Sequence, residues 1–153
     1  MRLGIISDTH GLLRPQAVEA LQSVDVIVHA GDVGKADVLW NLKKVAPVFA
    51  VRGNVDTEAW AQELPESTVV VADGVSFYVL HNLRDLDLRP DGAKFDFVIS
   101  GHTHQAEQFE RRGVLYVNPG SAGPRRFHLP VTLALLDLRK KPWKAEVQEL
   151  TRG

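Results

Sequence analysis

No cysteine occurs among the 153 residues. Disulfide staples, thiolate zinc sites, iron–sulfur clusters and cysteine nucleophiles are therefore excluded, and any bound metal must be held by nitrogen and oxygen. No apolar run approaches the ~18 residues that a membrane-spanning helix needs, so no membrane partner is expected. The N-terminus, MRLGIISDTH, carries one basic residue and turns polar at Ser7. That stretch is too short for a signal-peptide core, and a cytoplasmic location is expected. Neither charge sign dominates: 18 Lys and Arg face 19 Asp and Glu, for a net charge of −1. A protein that binds nucleic acid by neutralising phosphates is usually more basic, which sets that partner aside. Internal repeats, low-complexity segments and linkers are also lacking.

What remains is an ordinary globular balance, 44% apolar and 24% charged, and a length suited to one domain spanning residues 1–153. The first half reads as alternating strand and helix. Strands are expected at Leu3–Ser7, Asp25–Ala30 and Val48–Arg52, with helices at Pro15–Val24 and Ala36–Val45. That order implies a parallel sheet. After residue 65 the texture turns β-rich. Ser67–Ala72 and Ser76–His81 flank Asp73-Gly74, a tight-turn signal. Arg84–Lys94 is polar and reads as loop with a short helix. Phe95–Ser100, Gln108–Arg112, Val114–Asn118, Val131–Asp137 and Lys144–Glu149 complete the strands. The fold class is α/β, with two packed sheets.

The informative residues follow the strands. The first strand is followed by Asp8-x-His10, the second by Gly31-Asp32, the third by Gly53-Asn54; later strands end in His81 and in Gly101-His102-x-His104. Functional groups of open α/β sheets gather beyond the carboxyl ends of the strands. Five such ends would therefore meet on one rim. Gly-His-x-His is expected by chance only about 0.02 times at this composition, which makes it the strongest element. Each residue alone admits a structural role: a lone aspartate caps a helix or shapes a turn, and a lone histidine is hydrogen-bonded core. Four histidines, two aspartates and an asparagine, all at strand ends, favour a shared purpose. His29, inside a strand, and His128, beyond the last loop, are read as structural or peripheral.

With Asn118-Pro-Gly-Ser121, these motifs resemble the calcineurin-like metallophosphoesterases, closest to their compact bacterial and archaeal members. The resemblance covers nearly the whole chain. It implies a four-layer αββα sandwich of two mixed β-sheets flanked by helices, with a dinuclear metal centre at the rim. One cation would be held by Asp8, His10, Asp32 and His104. The other would be held by Asp32, Asn54, His81 and His102, with Asp32 bridging. Two divalent cations are implied, Mn²⁺ first, with Fe²⁺, Zn²⁺, Ni²⁺ or Co²⁺ also compatible with imidazole and carboxylate ligands. The implied activity is phosphoester hydrolysis, diester ahead of monoester, by in-line attack of a metal-bridging hydroxide. Asp32, Asn54 and His81 are read as catalytic. Two aspartates against two divalent cations leave about +2, a surplus that attracts a small phosphate ester.

Departures from the family pattern matter too. Many relatives carry histidine after the Gly-Asn pair, a candidate proton donor to the leaving group; here Val55 stands there, followed by Asp56. Asn82 stands where glycine is frequent. Pro119–Ser121 reads as a turn, while Asn54, Arg125 and Arg126 are candidate substrate contacts. Arg111–Arg112 and Arg139–Lys141 read as solvated surface. The competing function is that of a eukaryotic relative, a protein-binding scaffold of the same fold with an impaired metal site and weak or no catalysis. Completeness of the seven ligand positions sets the enzyme ahead. A metal-dependent nuclease would want a basic groove, and a homo-oligomer is compatible with the sequence.

Overall fold

Leu3, Ile5 and Ile6 are all fully buried, so the first strand is covered on both faces, as a central parallel strand must be. The computed structural model describes residues 1–151. Strands β1 (Arg2–Ile6), β2 (Val26–His29) and β3 (Val48–Ala50) run parallel, and β9 (Val131–Asp137) and β10 (Glu146–Thr151) extend the sheet antiparallel, in the order β10-β9-β1-β2-β3. The second sheet holds β4 (Ser67–Ala72), β5 (Val75–Leu80), β6 (Phe97–Ile99), β7 (Glu107–Arg111) and β8 (Val114–Asn118), in the order β4-β5-β6-β8-β7. Within it β5, β6 and β8 are parallel.

The sheets pack face to face through Leu3, Ile5, Val28, Phe77, Phe97, Ile99 and Leu136. Helices α1 (Pro15–Ala20) and α2 (Ala36–Lys43) cover the outer face of the first sheet with Ala17, Val38, Leu39 and Leu42. Proline opens α1, and Asp37 and Lys43 match the dipole of α2. Leu80, Val98 and Tyr116 turn to the outer face of the second sheet, beneath Leu83 and Leu86. The layers follow the expected sandwich, the fourth being thin, with one 3-10 turn at Leu83–Asp85.

Several boundaries need correction. The helices expected to reach Val24 and Val45 end at Ala20 and Lys43, because the chain tightens into i→i−3 bonds such as Val24 N to Leu21 O and Val45 N to Leu42 O. The strand expected from Phe95 starts at Phe97, since Phe95 N donates to Pro90 O in a turn. The strand expected from Lys144 starts at Glu146, because Ala145 is held instead by the Gln108 side chain. The 3-10 turn at Ala59–Glu63 was not foreseen. The Asp73-Gly74 hairpin stands, with Ala72 opposite Val75.

Register brings the strand ends level. Ile6 pairs His29, which pairs Ala50; in the other sheet Val79 pairs Ile99, which pairs Val117. Asp8, Gly31, His81 and Gly101 each lie two residues beyond the paired Ile6, His29, Val79 and Ile99. The polar punctuation of both sheets therefore opens on one edge.

Candidate metal centre

Two groups form there. Ligand atoms of Asp8, His10 and His104 lie within 4.8 Å of one another, as do those of Asp32, His81 and His102. The groups touch: His10 Nε2 is 3.6 Å from Asp32 Oδ2, and His81 Nε2 is 3.9 Å from Asp8 Oδ1. Asn54 and His102, both exposed, share a pocket wall with buried His81. All seven residues expected at the rim are thus brought to it.

Each carboxylate divides its oxygens. Asp8 Oδ2 accepts from the Ser7 hydroxyl (2.7 Å) and the His102 N–H (3.1 Å). Its Oδ1 is buried without a hydrogen bond and faces Nε2 of His104 at 3.4 Å. Asp32 Oδ1 accepts from the Val55 N–H at 3.0 Å, which leaves Oδ2 to His10 and to His81, 3.2 Å away. The His81 ring donates from Nδ1 to the Ala30 carbonyl (2.7 Å), which turns the Nε2 lone pair toward the carboxylates. That Nε2 is likewise buried and without hydrogen-bond geometry to any partner. A bare Asp8 oxygen and a bare His81 nitrogen, beside the Nε2 atoms of His10 and His104 that face each other at 3.3 Å, make a buried, sulfur-free donor set that fits divalent cations, since buried polar atoms are otherwise paired. Nδ1 of His104 is also unpartnered, and nothing in the structure accounts for it.

Electrostatics follow from this crowding. Burial pushes the Asp8 carboxyl up to about 6. Burial pushes Asp32 the same way, but His81, the Val55 N–H and His10 overcome it and hold Asp32 down at about 2. Burial also lowers His10, and it takes His104 down to about 4 with help from the Arg126 charge. For His81, burial is outweighed by the carboxylates of Asp32 and Asp8, and its affinity for a proton rises. Arg126 is therefore near enough to act on the His10 and His104 side, while Arg125 and His128 are exposed on the same loop.

The backbone is bent to this purpose. Among the described residues nine non-glycines have positive φ, and five of them are Asp8, His10, Asp32, His102 and His104. Such conformations are costly and persist where the surroundings hold them. Two glycines permit the sheets to close here. A Cβ on Gly31, at φ +100°, would lie 2.7 Å from Nδ1 of His81, and one on Gly101 would collide with the Ser7 hydroxyl.

Further residues that the sequence reading did not place in the centre support it. Asp56, buried, accepts from three backbone donors, Val33 (3.1 Å), Gly34 (2.9 Å) and Gly53 (2.9 Å), and ties the loop after β2 to the loop after β3. His29 accepts from the Gly31 N–H at Nδ1 (3.1 Å), so Nε2 carries its proton and donates to the Thr9 hydroxyl (3.0 Å). Thr9 in turn donates to the Val33 carbonyl at 2.9 Å. Asn118 donates to the Gly101 carbonyl and to Thr103, both at 3.0 Å, while Ser121 donates to the Asp8 carbonyl at 3.0 Å. The Pro119–Ser121 turn is thus also a strap across both rims. Asn82 accepts from the Arg84 N–H at 3.1 Å and caps the turn at Leu83–Asp85.

Residues 1–141 match the family model described as the calcineurin-like phosphoesterase superfamily domain. A probable metallophosphoesterase of Methanothermobacter thermautotrophicus is 36% identical over 150 residues, covering 88% of this chain and 85% of that protein. A phosphodiesterase of Methanocaldococcus jannaschii is 29% identical, covering 97% of this chain and all (100%) of its own. Among solved structures, one described as a novel archaeal phosphodiesterase superposes with a TM-score of 0.81 at 28% identity, over 97% of this chain and 100% of that one. Vps29 of Entamoeba histolytica complexed with Zn²⁺ gives 0.75 at 22% identity, over 99% of this chain and 100% of its own, a likeness of fold alone.

Proposed function

Because the chain belongs to the calcineurin-like phosphoesterase superfamily, we propose that it is a phosphodiesterase that works with two divalent cations, Mn²⁺ first. Asp8, His10, Asp32 and His104 hold one; Asp32, Asn54, His81 and His102 hold the other, with Asp32 shared. The observation that carries this reading is the division of each carboxylate, one oxygen fixed by protein donors and the other turned to imidazole nitrogens, with the free oxygen of Asp8 buried and without a hydrogen bond. When bound, such a pair of cations lowers the pKa of water toward neutrality and offsets charge on the phosphoryl oxygens.

The remaining work falls to the chain. Ser7 and the His102 N–H fix Asp8, the Val55 N–H fixes Asp32, and the Ala30 carbonyl fixes His81, so the donor set needs little rearrangement. Asn54, at the exposed mouth, contacts a phosphoryl oxygen, and Arg125 and Arg126 offset its charge from the opposite loop. The Val55 side chain, 42% exposed, has no proton to give to a departing alkoxide. Esters whose alcohols leave as stable anions, nitrophenolates above all, are therefore favoured.

The test is turnover of bis(p-nitrophenyl) phosphate and p-nitrophenyl phosphate by the metal-free protein and after loading with Mn²⁺, Fe²⁺, Zn²⁺, Ni²⁺ or Co²⁺. Activation by Mn²⁺ and faster hydrolysis of the diester are expected. Metal-loaded protein inert toward both esters would replace this reading with the scaffold one, against which the complete donor set now stands.

A further inference from the structure

Beside His81 and His102 the rim opens into a pocket of about 360 Å³, the size of a small ligand site. His81 and His102 both line it, and His81 is 3.2 Å from Asp32, so the pocket adjoins the candidate centre rather than standing apart from it. The outer walls are unlike what a phosphate-handling site needs. Arg52 belongs to them, but its guanidinium is held at 3.0 Å by Glu66 and at 3.1 Å by Gln62. Asp85 and Asp87 are exposed on the facing segment and have no ion-pair partner among the described residues. The half-buried ring of Tyr78, steadied by Phe95 at 5.2 Å between centroids, lines the same pocket. Two uncompensated carboxylates and an aromatic ring around one cavity are the elements that recognise an ammonium group.

We propose that the substrate's alcohol portion on this side carries a positive charge, an amino or quaternary ammonium group, seated against Tyr78, Asp85 and Asp87. The inference rests on the phosphodiesterase reading and narrows it. The phosphate lies over the centre, drawn by the cations, and the cationic alcohol extends along the pocket. A second phosphate there would meet two like charges, so nucleoside polyphosphates and oligonucleotides are disfavoured.

The test compares glycerophosphocholine with its uncharged carbon isostere, the glycerophospho ester of 3,3-dimethylbutanol, on the Mn²⁺-loaded protein. At least a tenfold higher kcat/KM for the choline ester is expected, residing in KM, and it should collapse to within twofold in the double variant Asp85→Asn, Asp87→Asn. Equal kcat/KM for the two esters, or a preference that survives the double substitution, would overturn the proposal. A readout free of turnover is saturation transfer from metal-free protein to the N-methyl protons of choline chloride, which should fall severalfold in the double variant. Protein that transfers saturation to choline but is inert toward bis(p-nitrophenyl) phosphate would sink the hydrolase reading and leave the cation pocket standing. Protein that hydrolyses bis(p-nitrophenyl) phosphate without preferring the choline ester would do the reverse.

Discussion

Asp32 occupies the point where the two donor groups meet, 3.2 Å from His81 and 3.6 Å from His10. Its replacement by alanine removes the carboxylate oxygen nearer to both histidines, since Asp8 Oδ1 stands 3.9 Å from each. Asp32→Ala should accordingly bind at most one Mn²⁺ per chain by calorimetry and lose turnover; full activity in that variant would sink the dinuclear reading. Val55 offers the opposite kind of change. Its backbone N–H holds Asp32 at 3.0 Å while its side chain faces solvent, so Val55→His keeps the anchor and adds a proton donor. Positioned general acids contribute about 10²–10⁴-fold, and the variant should gain at least tenfold on diesters of alkyl alcohols while changing little on nitrophenyl esters. Both positions were legible in the sequence because each lies in a short glycine-bearing segment after a strand, Gly31-Asp32 and Gly53-Asn54-Val55. The division of labour between backbone and side chain at Val55 was not, since it depends on a loop 23 residues away.

At the level of elements, the loops after β1, β2 and β3 carry no regular structure and must be fixed by side chains. Asp56 does most of this for the second and third, receiving three N–H donors while buried. Hydrogen bonds to a charged group contribute about 1.5–3 kcal/mol each. Asp56→Asn keeps one acceptor oxygen but turns an NH₂ group onto backbone donors. It should lower stability by about 3 kcal/mol in urea unfolding and weaken Mn²⁺ binding about tenfold, as loss of supporting hydrogen bonds does. Unchanged metal affinity would mean that the loops hold their shape without it. The order of strands and helices was readable from apolar runs, because those runs are the buried faces. Helix ends were overestimated by up to four residues, Val24 against Ala20. Leu21 is fully buried whether its turn is α or tighter, so the apolar pattern carries no mark of the boundary. The Asp56 contacts left no such pattern, since their partners are backbone groups.

At the scale of the molecule, two sheets close on each other so that buried imidazoles lie under the rim, and this makes stability answer to pH. His29 shows the effect in isolation, because it is fully buried, lies outside the candidate ligand set and is held neutral between Gly31 and Thr9. Burial pushes its pKa from the ordinary 6.5 down to about 3. Between those values the unfolded chain takes up a proton that the folded chain refuses. The stability conferred is therefore present above pH 6.5 and is lost as pH falls toward 3, by about 1.4 kcal/mol for each unit. His10 and His104, also lowered, act in the same direction, while Asp8, raised by burial, opposes them. A comparison with His29→Gln cancels these shared contributions and isolates the one residue, since glutamine does not titrate. Urea unfolding of the metal-free proteins at pH 6.5 and pH 5 should show the parent losing about 2 kcal/mol more than the variant. Parallel losses in the two proteins would mean that His29 gains its proton inside the fold, and that the hydrogen-bonded chain from Gly31 through Thr9 to Val33 does not hold it neutral.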